Sequence, residues 1–515
     1  MRYVLTLCVA FSLLAADATS IGKQWWQHIL YLADDKLEGR NTGSEGHRKA
    51  AEYVAAQFRG LGLKPVIQPV PFLTKQIDES HSSLELIRGS ATTKITFGKE
   101  AILSMRSDPV AQVKGSMVFI GYGMQIPEMH YDDLEGVDLR GKIAVMMTNA
   151  GPSNISGPLR SHAQSSERWK ALREAGAIGT VSIPNPKSMD IPWPRLALSR
   201  FQIAMDLDEE KLRDNAGQQI AVAVNPEYAN LFLEGSGHSF EELLALAEAG
   251  KQLPRFALPG SISARMAVKR GKVESQNVVA VIEGRDPKLK NEAVVLSAHL
   301  DHIGVGEPIA GDSINNGAMD NASGVAALIE VARALKPLKR SVVLAVVTGE
   351  EKGLLGSKYF AEHSAIGGKT IVADFNLDMF LPLHPLKILS VQGVDESTLG
   401  ADIRAAAAEY GVKVMGDAEP QRNLFIRSDQ YSFIKKGIPA LAFKFGYEKG
   451  SVEETLHKAW LKNRYHAPSD DVNQPVDIEG AAKFLQILTH LTVRVADAMD
   501  RPHWNDASFF KRFAH

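Results

Sequence analysis

The chain of 515 residues is long enough for two or three domains. Its content of 45% hydrophobic and 23% charged residues is that of an ordinary globular protein, and its formal net charge of −2 gives no basic excess. We therefore expect no nucleic-acid partner, because binding to the phosphate backbone depends on such an excess.

The chain begins with a candidate signal peptide, residues 1–18. Arg2 is followed by an apolar run over residues 3–15 and by the sequence ADA at 16–18, which has the form of a cleavage site. The apolar run is shorter than the ~20 residues that span a bilayer. We therefore predict an exported protein, periplasmic or secreted, with no stable membrane insertion after cleavage. Cys8 is the only cysteine, so the mature chain has no thiol for a disulfide or a metal.

The next segment, residues 19–111, is predicted to begin the catalytic domain. Val54 and Phe58 have helical spacing within a helix from Glu45 to Leu61, and glycines follow at its end. A polar segment with strand character continues to about Met105. Residues 112–255 then alternate between short apolar strands and a helix, and we interpret them as a smaller, β-rich α/β insert.

Residues 256–515 are predicted to form the main part of the catalytic domain. Short runs rich in Val, Ile, Leu and Ala alternate there with helical segments from Asn277 onward. Buried strands that alternate with helices indicate a mainly parallel sheet covered on both faces. The fold class is therefore α/β.

Acids and histidines follow several of these strands. Asp320 precedes a helix and is acceptable as a helix cap, and adjacent glutamates are common at helix starts, so no single residue identifies a site. Together they form a set of nitrogen and oxygen ligands without sulfur, which suits catalytic zinc, and a carboxylate can bridge two ions. The set comprises His299, Asp301, Asp320, Glu350, Glu351, Asp378 and His466.

Five short motifs carry a resemblance to a known family. In chain order they are AHLDH, NGAMDNASG, TGEEKGLLGSKYF, NLDM and RYHAPSDD. Their set resembles the M28 family of di-zinc exopeptidases, which implies a three-layer α/β/α fold of the phosphorylase/hydrolase-like type. The resemblance covers the early helix and the chain from about Ser275 to Leu491. The insert resembles a protease-associated (PA) domain.

The resemblance implies two zinc ions and a role for each residue of the set. One ion is assigned to His299, Asp320 and Asp378, and the other to Asp320, Glu351 and His466. Glu350 is implied as the general base and Asp301 as the acid that orients His299, with a cis peptide bond between Asp320 and Asn321. His302, Asp471 and Glu454 are expected to support the ligands or to lie on the surface.

The adjacent pair Glu350-Glu351 is expected to divide two tasks. Neighbouring side chains of an extended stretch point to opposite sides. One glutamate can then bind a metal while the other takes a proton from the attacking water. Asp301, two residues after His299, is expected on the same side as that histidine, where its carboxylate can hold the far ring nitrogen.

The predicted function is that of an exported zinc exopeptidase acting on peptides, an aminopeptidase because acids beside the metals can bind a free α-amine. Arg422 and Arg427 keep a carboxypeptidase open, since they offer a cationic clamp for a terminal carboxylate. A glutaminyl-cyclase-like acyltransferase and a non-catalytic binding scaffold are further alternatives. Side-chain preference and oligomeric state are not predicted.

Overall fold

A computed structural model describes residues 20–419, 422 and 424–514. The chain divides into two compact units. The first comprises Met1–Val70, Glu274–Ala418 and Arg427–His515, and the second comprises Pro71–Val273 and Glu419–Ile426. The predicted signal peptide lies outside the described residues.

Helices and strands alternate through both units. The helices are α1 (20–32), α2 (Glu45–Gly60), α3 (Gly157–Ala163), α4 (Ser166–Glu174), α5 (Trp193–Leu196), α6 (Ala229–Leu233), α7 (Phe240–Glu248), α8 (Ser323–Ala334), α9 (Leu355–Glu362), α10 (Leu399–Ala408), α11 (Gln430–Ile434), α12 (Val452–Asn463) and α13 (Ile478–Asp497). The strands are β1 (Val66–Ile77), β2 (Ser83–Arg88), β3 (Ala91–Lys94), β4 (Ala101–Leu103), β5 (Gln112–Ile120), β6 (Gln125–Ile126), β7 (Tyr131–Asp132), β8 (Ile143–Thr148), β9 (Gly179–Pro184), β10 (Ala204–Leu207), β11 (Ile220–Val224), β12 (Arg255–Arg265), β13 (Val268–Ile282), β14 (Glu292–His299), β15 (Gly304–Ile309), β16 (Asp312–Asn315), β17 (Ser341–Val347), β18 (Thr370–Asn376), β19 (Ile388–Gln392), β20 (Lys413–Met415) and β21 (Ala440–Phe445).

The first unit is built on a sheet with a parallel centre. Its strand order is β13-β17-β14-β18-β21-β19-β20. Strand β14 is parallel to both β17 and β18, and β18 is parallel to β21. Strand β13 pairs antiparallel with β17, and β19 pairs antiparallel with β21 but parallel with β20. The prediction of a mainly parallel α/β sheet is confirmed for these central strands.

Both faces of this sheet are covered, because side chains alternate along each buried strand. On one face Leu296 and Leu344 belong to a core with Leu328 of α8 and Leu488 of α13. On the other face the core includes residues of α9 and α11 together with alternate strand residues, namely Val295, Val343, Phe360 and Phe433. Burying a side chain of this size contributes about 1.5–3 kcal/mol. The three-layer arrangement follows from these two cores.

Helix α1 adds a further element to the first core, and the sequence prediction did not include it. Trp25, Ile29 and Leu32 are fully buried in that core at helical spacing. The indole Nε1 of Trp25 donates to the carbonyl oxygen of Ser323 over 2.9 Å. The predicted helix after Glu45 is confirmed as α2, whose Ser44 hydroxyl accepts from the His47 amide.

The second unit contains a mixed sheet of its own. Its order is β3-β2-β12-β5-β8-β9-β11-β4, with β5, β8, β9 and β11 parallel in turn. Trp169 and Leu172 of α4 pack with Ile120 and Met146 of the sheet. This unit contains the predicted insert 112–255, and the domain boundaries drawn from the sequence remain a prediction.

None of the helices in the described ranges is both long and apolar enough to cross a membrane.

Candidate metal centre

The predicted ligands lie at the carboxyl ends of three neighbouring parallel strands of the first unit. His299 closes β14, Glu350 and Glu351 follow β17, and Asp378 follows β18. These strands pair directly with one another through β14. Because parallel strands end at one edge of the sheet, segments distant in sequence meet there, as they do at ligand sites of open α/β sheets.

One group of three predicted ligands forms around His299. Its Nε2 lies 3.4 Å from Asp320 Oδ1 and 3.6 Å from Asp378 Oδ1. Both distances exceed the roughly 2.7–3.2 Å of an N–H···O hydrogen bond. Two ligand atoms that each lie ~2.1 Å from a tetrahedral zinc ion are about 3.4 Å apart. The spacing therefore suits three ligands of one ion.

A second group uses the other oxygen of the same aspartate. His466 Nε2 lies 3.3 Å from Asp320 Oδ2 and 3.2 Å from Glu351 Oε1. These distances are again close to the separation of two ligands on one zinc ion. Asp320 is therefore placed between the two groups, with one carboxylate oxygen in each.

His302 lies in this second group as well. Its Nδ1 is 2.9 Å from Glu351 Oε1 and 3.8 Å from Asp320 Oδ2, so it too belongs to a set of three that can hold a metal. The ring is fully buried, and its Nε2 has no hydrogen-bond partner among the described residues. The 2.9 Å contact has the length of a hydrogen bond. The Nε2 atom of His466 lies at the distance expected between two ligands of one zinc ion from both Asp320 and Glu351. His302 is therefore better explained as a hydrogen-bond donor to Glu351 than as a metal ligand.

Glu350 and Glu351 do occupy different environments, but the reason expected from the sequence is wrong. Strand β17 ends at Val347, and the pair lies in a turn in which the Glu350 carbonyl oxygen accepts from the amides of Gly353 and Leu354. Strand alternation therefore does not separate the two side chains. Glu351 is buried beside the histidines, whereas Glu350 is partly exposed.

Asp301 has partners other than the expected ring nitrogen. His299 Nδ1 contacts the backbone carbonyl oxygen of Asp301 at 3.0 Å, while the Asp301 carboxylate is 3.9 Å away. That carboxylate accepts from the amides of Glu350 and Glu351 at 3.2 and 3.3 Å and from the Thr42 hydroxyl at 2.8 Å. The chain leaves the extended conformation at His299, which turns the Asp301 side chain away from the ring. Asp301 thus fixes the backbone of the glutamate pair as well as the histidine.

A buried aspartate that the sequence did not single out holds the backbone of Asp320. Asp470 Oδ1 accepts from the Met319 amide and its Oδ2 from the Asp320 amide, over 2.9 and 3.0 Å. The side chain of the neighbouring Asp471 accepts from the amide and the side chain of Asn473, over 2.7 and 3.5 Å. Glu454 pairs with Lys458 on α12, away from the ligands. The peptide bond between Asp320 and Asn321 is cis, as the resemblance implies.

The pKa values of the ionisable groups diverge because the ligand atoms are close together. Burial acts to lower the pKa of both His299 and His466, but the nearby carboxylates outweigh it. Glu350 and the other carboxylates raise the pKa of His299 well above its usual value. Glu351 and Asp320 raise the pKa of His466 to about 10. Burial raises the pKa of Glu350 far above its usual value, and the acids around it add to the shift. The pKa of Glu351 is lowered because the attraction of the adjacent histidines outweighs burial. Adjacent carboxyl groups thus have pKa values shifted in opposite directions.

The site lies in a segment whose sequence matches the profile of a known protein family. Residues 277–492 match the profile of "Peptidase family M28". The match includes strands β14, β17 and β18 and every predicted ligand. This region of the chain therefore matches peptidase family M28 in sequence, over less than half of the chain.

Proteins of similar sequence include two that are named as aminopeptidases. The probable leucine aminopeptidase 2 of Aspergillus oryzae is 31% identical over 242 residues, which are 44% of this chain and 46% of that protein. Aminopeptidase YwaD of Bacillus subtilis is 27% identical over 205 residues, which are 38% of this chain and 40% of that protein. The chain thus matches less than half the length of these relatives.

Solved structures share the fold over most of the chain. An aminopeptidase from Aneurinibacillus sp. strain AM-1 superposes with a TM-score of 0.55 and 21% identity, covering 94% of this chain and 98% of that one. A zinc aminopeptidase from Bacillus subtilis gives a TM-score of 0.52 and 18% identity, covering 93% and 96%. At these identities the likeness establishes a common fold.

Proposed function

We propose that the protein is a zinc-dependent exopeptidase, an aminopeptidase that removes N-terminal residues from peptides. The observation that carries the proposal is the pair of groups that share Asp320, with donor atoms 3.2–3.6 Å apart. The zinc and aminopeptidase relatives support the same reaction class.

The donor set fits two zinc ions. His299, Asp320 and Asp378 would hold one, and Asp320, Glu351 and His466 the other, with no sulfur ligand in either group. Three carboxylates and two histidines thus lie within 3.2–3.6 Å contacts of one another, and metal ions between them would balance the negative charge of the carboxylates. Zinc, when bound, acidifies a water and polarises the scissile carbonyl.

Glu350 is the residue we assign to proton transfer. It is partly exposed, so its carboxylate can face a substrate, and its amide is held by the Asp301 carboxylate. We infer that it takes the proton of the attacking water and returns it to the leaving amine. Glu351, held by His302, stays with the metal-binding group.

The acids of the centre favour an aminopeptidase over a carboxypeptidase. A free α-amine is a cation and is attracted by the surplus carboxylates, whereas a C-terminal carboxylate needs an available cation. Arg422 is already engaged, with its Nε 2.7 Å from Asp190 and its Nη1 2.7 Å from Glu419. That pairing removes one of the two arginines that kept the carboxypeptidase alternative open.

Export and the PA assignment belong to the same proposal. Export rests on the sequence of residues 1–18, and a purified mature protein that begins after residue 18 would support it. The PA assignment of the second unit rests on its sequence resemblance and on its own mixed sheet with packed helices. Peptides are the expected partners.

A substrate panel tests the reaction. Aminoacyl p-nitroanilides should be cleaved, the same compounds with an acetylated α-amine should not, and 1,10-phenanthroline should abolish cleavage until zinc is restored. Metal analysis should find close to two zinc ions per chain. Cleavage of N-blocked peptides, or full activity in chelator, would contradict the proposal.

A further inference from the structure

The second unit contains a cavity that has no part in the proposed metal chemistry. It offers about 270 Å³ between helix α4 and the strands β8, β9 and β11, and it is partly open to solvent. One water needs only ~10–15 Å³ of such volume. The cavity therefore has room for a small organic molecule.

An arginine without a counter-charge lines this cavity. Arg168 lies in the first turn of α4, and its guanidinium makes one long hydrogen bond, of 3.5 Å, to the carbonyl oxygen of Tyr122. No carboxylate of the described residues lies within ion-pair distance of it, and the lining of the cavity includes no Asp or Glu. Burial lowers the pKa of Arg168 to about 10, so it remains charged at neutral pH. A partly buried guanidinium with no carboxylate beside it favours an anionic ligand, because removing a charge from water without a partner is unfavourable.

Hydroxyl groups stand in the same lining. Ser104, Thr180 and Ser182 face the cavity, and the Ser182 hydroxyl has no hydrogen bond among the described residues. Thr180 Oγ1 accepts from Gln218 Nε2 over 2.8 Å, which leaves its own proton free to donate. Together with the guanidinium they supply several donors for one oxyanion.

The rest of the lining is apolar. Met146, Leu172 and Val222 are almost completely buried there, and the ring of Trp169 is fixed by a 3.1 Å hydrogen bond from its Nε1 to the Ala216 carbonyl. The partly exposed Arg168 and Ser182 are the more accessible part of the lining. A ligand would thus place its charged end at these residues and its apolar body against the deeper wall.

We propose that this cavity binds a small monocarboxylate with an apolar body. The lining offers no anionic group to an ammonium, so an uncharged or acylated nitrogen is favoured over a free amino group. N-acyl amino acids have this chemistry. The proposal concerns residues of the second unit alone and does not depend on the metal centre.

Isothermal titration of the full-length zinc-loaded protein tests the site. The probes are N-acetyl-L-leucine, its uncharged amide N-acetyl-L-leucinamide, and sodium sulfate. We expect N-acetyl-L-leucine to bind, and the amide to bind at least about tenfold more weakly because it lacks the charge-assisted hydrogen bonds.

Variants locate the binding. Arg168→Gln should weaken N-acetyl-L-leucine at least about tenfold. Arg173→Gln, on the same helix but exposed and outside the lining, should leave it unchanged. Ser182→Ala removes one donor without touching the charge and should weaken binding by a smaller factor, which provides a second test if Arg168→Gln does not fold.

Three outcomes would overturn the proposal. They are an absence of binding by N-acetyl-L-leucine, equal binding by folded Arg168→Gln or Ser182→Ala, and equal binding of the acid and the amide. Binding of sulfate but not of the organic acid would also contradict it, because the cavity would then take inorganic oxyanions.

Discussion

At the scale of single residues, the neighbours Glu350 and Glu351 have distinct surroundings. Glu351 contacts two histidines, whereas Glu350 is partly exposed and its backbone amide donates to the Asp301 carboxylate. The two residues should therefore fail in different ways when they are changed.

We expect the Glu350→Gln variant to retain its zinc and to lose most of its catalytic rate. The amide conserves shape and cannot accept the proton, and a general base contributes about 10²–10⁴ to the rate. The measurements are kcat/KM on an aminoacyl p-nitroanilide and the zinc content of the dialysed protein. Glu351→Gln serves as the comparison and should lose zinc. A Glu350→Gln protein of nearly normal activity would remove Glu350 from its proposed role.

His302 and His466 provide a second pair at this scale. We expect His466→Gln to lower the zinc content of the dialysed protein, because His466 has ligand spacing to both carboxylates. His302→Gln should retain both ions with an affinity reduced by about 10–100-fold, the usual loss when a residue that holds a ligand is changed. Equilibrium dialysis against a zinc buffer measures both. Loss of an ion on changing His302 alone would make that residue the ligand.

Much of this centre was predictable from residue types. Histidines and acids that follow strand ends indicated the site, and the motif order indicated the grouping. His302 is part of the motif AHLDH. Its contact with Glu351 depends on the turn after β14, which the spacing of residues in the sequence does not reveal. Asp470 was missed because its function is to bind backbone amides, and such contacts leave no pattern in the sequence.

At the scale of elements, helix α8 must pack closely against the segment that carries Asp378. A Cβ atom on Gly324 would lie 2.2 Å from the Leu377 carbonyl oxygen and 2.4 Å from Asn321 Oδ1. Both neighbours precede or follow a predicted ligand by one residue. The glycine therefore sets how near the two ligand-bearing segments can come.

We expect Gly324→Ala to destabilise the protein by about 1–3 kcal/mol, the cost of overpacking a core, and to weaken zinc binding. Gly60→Ala, at the last position of α2, meets no atom within 4 Å and should be neutral or slightly stabilising. Urea unfolding midpoints of both variants provide the comparison. Equal midpoints would show that α8 can shift without cost.

The strands and helices around this contact were largely predictable, because apolar runs and glycine or cap residues define them. Helix α1 was not predicted, although Trp25, Ile29 and Leu32 have helical spacing. Its sequence follows directly on the candidate signal peptide and has no clear cap within the described residues. The sequence predicts extended chain at Glu350, whereas the structure has a turn there, because nothing in the sequence marks Val347 as the last strand residue.

At the scale of the whole molecule, one buried side chain ties three distant parts of the first unit together. The Arg40 guanidinium donates to the carbonyl oxygens of Leu300, Asn316 and Gly317 over 2.9, 2.6 and 3.0 Å, and also to that of Leu32. These carbonyls belong to the end of α1, the segment after β14 and the segment before Asp320.

We expect Arg40→Met to destabilise the protein by at least about 3 kcal/mol, since several buried carbonyls lose their donor at about 1–3 kcal/mol each. Arg48→Met, which removes an exposed arginine paired with Glu45 and Glu52 on α2, should have little effect. Thermal unfolding with and without zinc measures both. A stable Arg40→Met protein would mean that water can replace the guanidinium.

The charge of Arg40 also affects the stability of the metal centre when no metal ion is bound. Although burial lowers the pKa of Arg40 to about 10, it stays protonated at neutral pH, and its charge is felt by Asp470, Asp320, Asp301 and Glu351. It acts as an internal counter-ion, partly neutralising acids that would otherwise repel one another before any cation arrives. We therefore expect the first unit to be able to complete its fold before a metal ion binds, with Arg40 supplying the positive charge until then.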